Sequence, residues 1–245
     1  MKNILIIFFV FLFSFNVISC SKKDSGSSST STDSDGTTNS CFSTSISSRQ
    51  LARSSNDYAY GVATDSSGNV YVAGGTNGGL DGNTNAGNTD LFVVKYNSSG
   101  TKQWTRQLGS SSRDSANGVA TDSSGNVYVT GMTNGGLDGC KNAGIEDLFV
   151  VKYNSSGTKQ WTNQLGSSSR DSANDVATDS SGNIYVTGTT YWELDGNTSA
   201  GKADLFVVKY NSSGTWQWTK QNGTDRYDEA RGVATDSSGN VYVTG

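Results

Sequence analysis

Three sets of aspartates recur along this chain, and carboxylates are the side chains that most often serve acid–base chemistry or hold a hard cation. Asp65, Asp122, Asp179 and Asp236 each open a D-S-S-G-N run. Asp81, Asp138 and Asp195 each follow a leucine in L-D-G, and Asp90, Asp147 and Asp204 each open D-L-F-V-V-K-Y. The step between copies is 57 residues every time. An acid–base pair works because two carboxyls sit in unlike environments, and one carboxylate per copy does not supply that contrast. Turn capping does need the same residue in every copy. Aspartate can bond the N–H groups of its own turn, and a following glycine can take positive φ. Asp65 with Gly68, Asp122 with Gly125, Asp179 with Gly182 and Asp236 with Gly239 are therefore read as structural turns.

Two further chemistries are considered on the residues present. Asp81, Asn83 and Asn85 place oxygen side chains at alternate positions, like the start of a calcium loop. The pattern decays in the sister copies, where Cys140 and Ser199 intrude, and Phe92 stands twelfth, where a calcium-binding hand has an acidic residue. Histidine is absent, so there is no serine–histidine or cysteine–histidine pair and no imidazole ligand. No cofactor is expected. Cys41 and Cys140 either pair in an oxidising compartment or stay as thiols.

Among near-identical copies, recognition is sought where they differ. Asn77-Gly78-Gly79 and Asn134-Gly135-Gly136 become Tyr191-Trp192-Glu193, and Lys102 and Lys159 become Trp216. These four residues, Tyr191, Trp192, Glu193 and Trp216, are the candidate binding residues; drift in a tolerant loop is the bland alternative. Glu193, Arg226, Asp228, Glu229 and Arg231 are the dense non-repeated charges. A glycan-active hydrolase or lyase, the competing reading, would need a cluster of unlike carboxylates with Arg or Tyr at one mouth of the channel, and these residues supply little of it.

The elements that would position these residues follow from the repeat. In the first copy GVATD reads as a strand from Gly61, NVYVAGGT as a second and LFVVKYN as a third. TKQWTRQLG reads as a fourth, with Lys102, Trp104, Arg106 and Leu108 sharing one face. The third is apolar on both faces, as a strand covered on both sides would be. The fourth is polar and carries Lys and Arg, which discourage pairing at an edge. Four antiparallel strands per 57-residue unit predict an all-β β-propeller. Full blades are expected at about 58–114, 115–171 and 172–228, with a partial blade at 229–245, in a domain spanning 44–245.

D-x-x-G-N-V-Y-V-T-G, then D-x-F-V-x-K-Y-N-x-x-G, then W-T-x-Q-L-G resembles the bacterial SBBP-type β-propeller repeat over about residues 50–245. The resemblance implies the fold and an exported protein, often a lipoprotein, and no general enzymatic activity. Gln50-Leu51 matches Gln107-Leu108, so a fourth-strand remnant precedes the first blade. The shared terminal blade then lacks a third strand. Three outcomes are expected to compete: a truncated copy of a longer gene, a strained four-blade ring, or a homodimer closing through open propeller edges. Truncation is favoured.

Residues 1–19 read as an export signal: Lys2, then an apolar run from Ile4 to Ile18, shorter than the roughly 20 residues of a spanning helix. Val17-Ile18-Ser19-Cys20 resembles the lipobox of bacterial lipoproteins, which implies acylation of Cys20 and anchoring in the cell envelope, at the outer membrane. Residues 20–43 are then the lipidated cysteine and a Ser/Thr/Gly-rich tether. The net charge is -4 and no Lys/Arg run exists, so nucleic acid is not an expected partner. The expected function is a membrane-tethered, non-enzymatic binding or scaffold propeller for an unknown protein or glycan. The alternatives are the glycan-active enzyme and a fragment without retained function.

Overall fold

The computed structural model describes residues 55–245. The export signal, Cys20, the tether, Cys41 and Gln50-Leu51 lie outside these residues. Three four-stranded antiparallel sheets follow one another in chain order. The first holds β1 (Asp57–Thr64), β2 (Val70–Thr76), β3 (Asp90–Tyr96) and β4 (Lys102–Leu108). The second holds β5 (Asp114–Thr121), β6 (Val127–Thr133), β7 (Asp147–Tyr153) and β8 (Lys159–Leu165). The third holds β9 (Asp171–Thr178), β10 (Ile184–Thr190), β11 (Asp204–Tyr210) and β12 (Trp216–Asn222). A hairpin of β13 (Gly232–Thr235) and β14 (Val241–Thr244) ends the chain. These are three propeller blades and the first half of another.

Two local expectations are corrected by bulges. β1 begins at Asp57 rather than Gly61, because the ladder with β2 skips Tyr60 and so continues past the point where strict alternation breaks. In the fourth strand, Lys102 does not share the face of Trp104. The ladder pairs Lys95 with Trp104 and Tyr96 with Lys102, leaving Gln103 unmatched. Lys102 therefore falls on the side of Thr105 and Gln107.

Blades pack face to face. Tyr71, Ala73, Leu91 and Val93 of the first blade, with Trp104 and Leu108 against them, meet Val127, Val129, Leu137, Phe149, Val151 and Tyr153 of the second. One period later Tyr128, Leu148 and Val150, with Trp161 and Leu165, meet Ile184, Val186, Leu194, Phe206, Val208 and Tyr210. β7 thus gives Leu148 and Val150 to one junction and Phe149 and Val151 to the other, which is why its sequence is apolar on both faces. The first strands line the inside of the arc: β1 packs on β5, β5 on β9 and β9 on β13. Side chains tie them together. The Thr121, Thr178 and Thr235 hydroxyls donate to the carbonyls of Thr64, Thr121 and Thr178 at 3.0, 3.0 and 2.9 Å. Asn117 and Asn174 donate to the carbonyls of Ala173 and Ala230 at 2.8 and 2.7 Å. No comparable packing leads from β13 back to β1 among the described residues, so the arc is open there.

Candidate functional site

The turn aspartates are clamps. Asp65 Oδ1 accepts from the backbone N–H groups of Ser67 and Asn69 at 2.9 and 3.0 Å; Oδ2 accepts from Asn69 Nδ2 at 2.7 Å and the Tyr71 hydroxyl at 2.9 Å. Asp122, Asp179 and Asp236 repeat the set with Tyr128, Tyr185 and Tyr242. The paired glycines sit where the turn reading placed them. Gly68, Gly125, Gly182 and Gly239 have φ of 75°, 75°, 75° and 76°. Their N–H groups donate to the carbonyls of Asp65, Asp122, Asp179 and Asp236 at 3.0, 3.0, 2.9 and 3.0 Å. A Cβ at Gly239 would meet nothing within 4 Å, so the left-handed backbone rather than crowding selects glycine there. Partial burial works against ionisation of Asp65, and the bonds from Asn69, Tyr71 and Ser67 outweigh it, leaving the carboxyl below its ordinary value. At Asp236, the Asn240 side chain and backbone bonds lead, and the pKa is lowered to about 2.

The strand-entry aspartates form a second network. Asp90 Oδ2 accepts from the Ala86 N–H at 2.9 Å and from Gln107 Nε2 at 2.8 Å. The Gln107 amide also donates to the Gly78 carbonyl at 3.0 Å and accepts from the Leu80 N–H at 2.9 Å. Gln164 and Gln221 do the same for Asp147 and Asp204. One glutamine thus pins the long second loop to the fourth strand. Oδ1 of Asp90, Asp147 and Asp204 is buried without a hydrogen bond. It faces Gly109, Gly166 and Gly223, where a Cβ would lie 2.1 Å from it. Beside this network, buried Asp114 and Asp171 each accept from a backbone N–H, of Ser110 and Ser167, at 2.6 Å and from the hydroxyls of Thr133 and Thr190. Burial pushes the Asp171 carboxyl up, and the charge of Asp147 adds to it. Gln107, Asp114 and their counterparts were not picked out from sequence, although the period marks Gln107, Gln164 and Gln221 as clearly as it marks the turn aspartates.

The calcium candidates are each engaged locally. Asp81 at φ 51° and Gly82 at φ 84° form a tight turn closed by the Asn83 N–H on the Leu80 carbonyl at 2.9 Å. The Asp81 carboxylate takes the ammonium of Lys102 and the hydroxyl of Thr105. Asn83 Nδ2 donates to the Leu80 carbonyl at 2.7 Å, and Asn85 Oδ1 accepts from the Gly87 N–H at 2.9 Å. In the second blade Asp138 pairs with Lys159 and accepts from the Thr162 hydroxyl at 2.9 Å. Among the described residues no group of three or more acidic, cysteine or histidine side chains is arranged to hold a metal ion. The Cys140 thiol is raised by burial and by nearby Asp138.

The third blade departs from this frame. Tyr191, Trp192 and Trp216 are exposed, as is Glu193. The structure splits them into two groups. The Tyr191 ring packs edge-on to exposed Tyr227 with centroids 6.4 Å apart, and Lys202 Nζ lies 5.4 Å from the Tyr227 ring centre. Tyr227 was missed from sequence, though its counterparts are Arg113 and Arg170. Trp192 and Glu193 instead lie along the outer strand, because Gln221 of β12 donates to the Trp192 carbonyl at 3.1 Å and accepts from the Leu194 N–H at 2.9 Å. Trp216 opens that same strand, and its indole N–H donates to the Thr219 hydroxyl at 3.0 Å. Of the non-repeated charges, Arg231 pairs with Glu229 at 3.1 Å, and Asp228 accepts from the N–H and hydroxyl of Thr224 at 2.6 and 2.7 Å.

Comparison with known proteins fits this architecture. Over 196 residues the chain is 29% identical to "Regulatory protein FlaEY" of Caulobacter vibrioides, covering 71% of this chain and 20% of that protein. It is 26% identical over 181 residues to "Uncharacterized WD repeat-containing protein L264" of Acanthamoeba polyphaga mimivirus, covering 58% of this chain and 13% of that one. The chain thus spans a fifth or less of the length of these relatives. Residues 48–81, 103–138, 160–191 and 217–245, together more than half of the chain, match the SBBP beta-propeller repeat. The matches at 103–138 and 160–191 each run from a fourth strand through the next first hairpin and into the loop that Gln164 or Gln221 pins. The chain belongs to the SBBP beta-propeller repeat family.

Proposed function

We propose that this chain is a membrane-tethered, non-enzymatic scaffold whose third blade receives a protein partner. One observation carries the reading. The repeated turn and strand-entry aspartates and the fourth-strand glutamines are consumed in holding turns, loops and strands, while Tyr191, Trp192, Glu193 and Trp216 depart from the repeat and are exposed. Exposed Tyr and Trp on loops are the residue types that anchor interfaces. The names of the two relatives, a regulatory protein and a WD repeat-containing protein, support a role without catalysis. Replacing Tyr191-Trp192-Glu193 by Asn-Gly-Gly, as in the sister loops, should leave thermal unfolding unchanged. It should weaken a true partner by about 2 kcal/mol or more; equal partner recovery from both proteins would refute the reading.

The tethering rests on Lys2, the apolar run and Cys20. Cys20→Ser should move the protein from the detergent-extracted membrane fraction to the soluble fraction, and unchanged partitioning would count against a lipid anchor. We also propose that a second copy can continue the arc head to tail. Val62 is 69% exposed, whereas its counterparts Val119 and Val176 are buried in blade junctions at 7% and 4%. The two internal junctions show what such a face accepts, namely the Tyr, Leu and Trp face of another blade. Light scattering should detect a concentration-dependent dimer that Val62→Asp abolishes; a monomer at all concentrations would contradict it.

A further inference from the structure

In the first two blades one carboxylate holds a lysine. Asp81 pairs with Lys102 and Asp138 with Lys159, each with a threonine hydroxyl on the same carboxylate. The third blade keeps the aspartate and its backbone: Asp195 has φ 54°, and the Asn197 N–H closes the turn on the Leu194 carbonyl at 3.0 Å. The lysine is gone. Trp216 stands in its place, and its indole has taken the hydroxyl of Thr219, the counterpart of Thr105 and Thr162. Among the described residues Asp195 has neither an ion pair nor a hydrogen bond, and it is exposed.

The neighbouring changes reinforce this. Gly78 and Gly135 become Trp192, and Gly79 and Gly136 become Glu193. A Cβ at Gly79 or Gly136 would lie 2.2 or 2.1 Å from the carbonyl oxygen of Asn83 or Cys140, so seating Glu193 requires the loop to yield. Such a change breaks a local rule with no packing gain, because Trp192 and Glu193 are exposed. Its effect is electrostatic. The flank is neutral in the sister blades, where one aspartate faces one lysine. In the third blade it carries Asp195 and Glu193 with no lysine, together with the exposed indoles of Trp192 and Trp216. Carboxylates neutralise an ammonium or guanidinium, and an indole face attracts one.

We propose that the outer flank of the third blade, formed by Trp192, Glu193, Asp195 and Trp216, is a docking site for a lysine- or arginine-bearing segment of a protein partner. A partner's cation takes the seat that Lys102 and Lys159 fill from within the chain. This deepens the scaffold reading above and rests on it.

The test is calorimetric titration of the detergent-solubilised full chain with acetylated, amidated hexalysine, with hexaglutamate as the control peptide. Hexalysine should bind and hexaglutamate should not. Trp216→Lys should restore the sister blades' ion pair and weaken hexalysine by about tenfold or more, with an unchanged or raised thermal midpoint. Asp195→Asn should weaken it similarly through an exposed, fold-neutral change. No binding to the parent chain, equal binding of hexaglutamate, or unchanged hexalysine affinity in either folded variant would overturn the assignment. If hexalysine fails while partner recovery still depends on Tyr191-Trp192-Glu193, this assignment is wrong and the scaffold reading stands.

Discussion

Asp236, in the last and least covered of the four turns, shows what each turn aspartate does. Four hydrogen bonds converge on its carboxylate, from the N–H groups of Ser238 and Asn240, the Asn240 side chain and the Tyr242 hydroxyl. A donor-rich site favours the charged form. Carbon-detected NMR titration should therefore place the Asp236 carboxyl midpoint at about 2, against an ordinary 3.8; a midpoint at or above the ordinary value would contradict the clamp. The sign for stability follows. The folded value lies below the unfolded one, so the contribution is complete above about pH 4 and is lost as pH falls through the folded value. The role of Asp65 within its own turn was legible, because aspartate followed by Ser-Ser-Gly has few other uses. Its bond to the Tyr71 hydroxyl was not, because alternation says which face Tyr71 occupies and not what its oxygen reaches.

Between strands, the glutamine of each fourth strand carries a structural load that its exposed neighbours do not share. Gln164 satisfies the Leu137 N–H, the Gly135 carbonyl and Asp147 Oδ2 at 3.0, 3.0 and 2.8 Å. Asp147 is buried and its other oxygen is already without a partner. Gln164→Ala should cost about 2–3 kcal/mol through the unsatisfied groups it leaves. The midpoint should fall by about 2–4 °C per kcal/mol. Gln160→Ala, on the exposed end of the same strand, should stay within about 0.5 kcal/mol. Calorimetric melting of both variants checks this, and equal midpoints would remove Gln164 from the frame. The fourth strand was legible as the polar edge of a blade. Its inward glutamines were not, since polarity alone does not separate a solvated side chain from one bonded to a loop. The face of Lys102 was misread for a different reason: a bulge shifts alternation by one residue without any mark in composition.

Across the whole molecule, the 57-residue period made the blades and their order legible, and the doubled apolar faces of LFVVKYN announced face-to-face packing. Whether the arc closes was not legible, because that depends on the angle at which β1, β5, β9 and β13 pack, and near-identical sequences accommodate several angles. The candidate surface was legible as a departure from the repeat, but its chemistry was not. The vacated lysine seat becomes visible once Asp81–Lys102 and Asp138–Lys159 are seen as ion pairs. On the proposed function, the blades are one interchangeable frame and recognition lies in the few residues that depart from it. Grafting those departures into the first blade, as Gly78→Trp, Gly79→Glu and Lys102→Trp, tests this most directly. In a graft that still unfolds cooperatively, calorimetric titration with hexalysine should show about two sites per chain where the parent shows one, with matching affinities. A graft that retains a single site would contradict it.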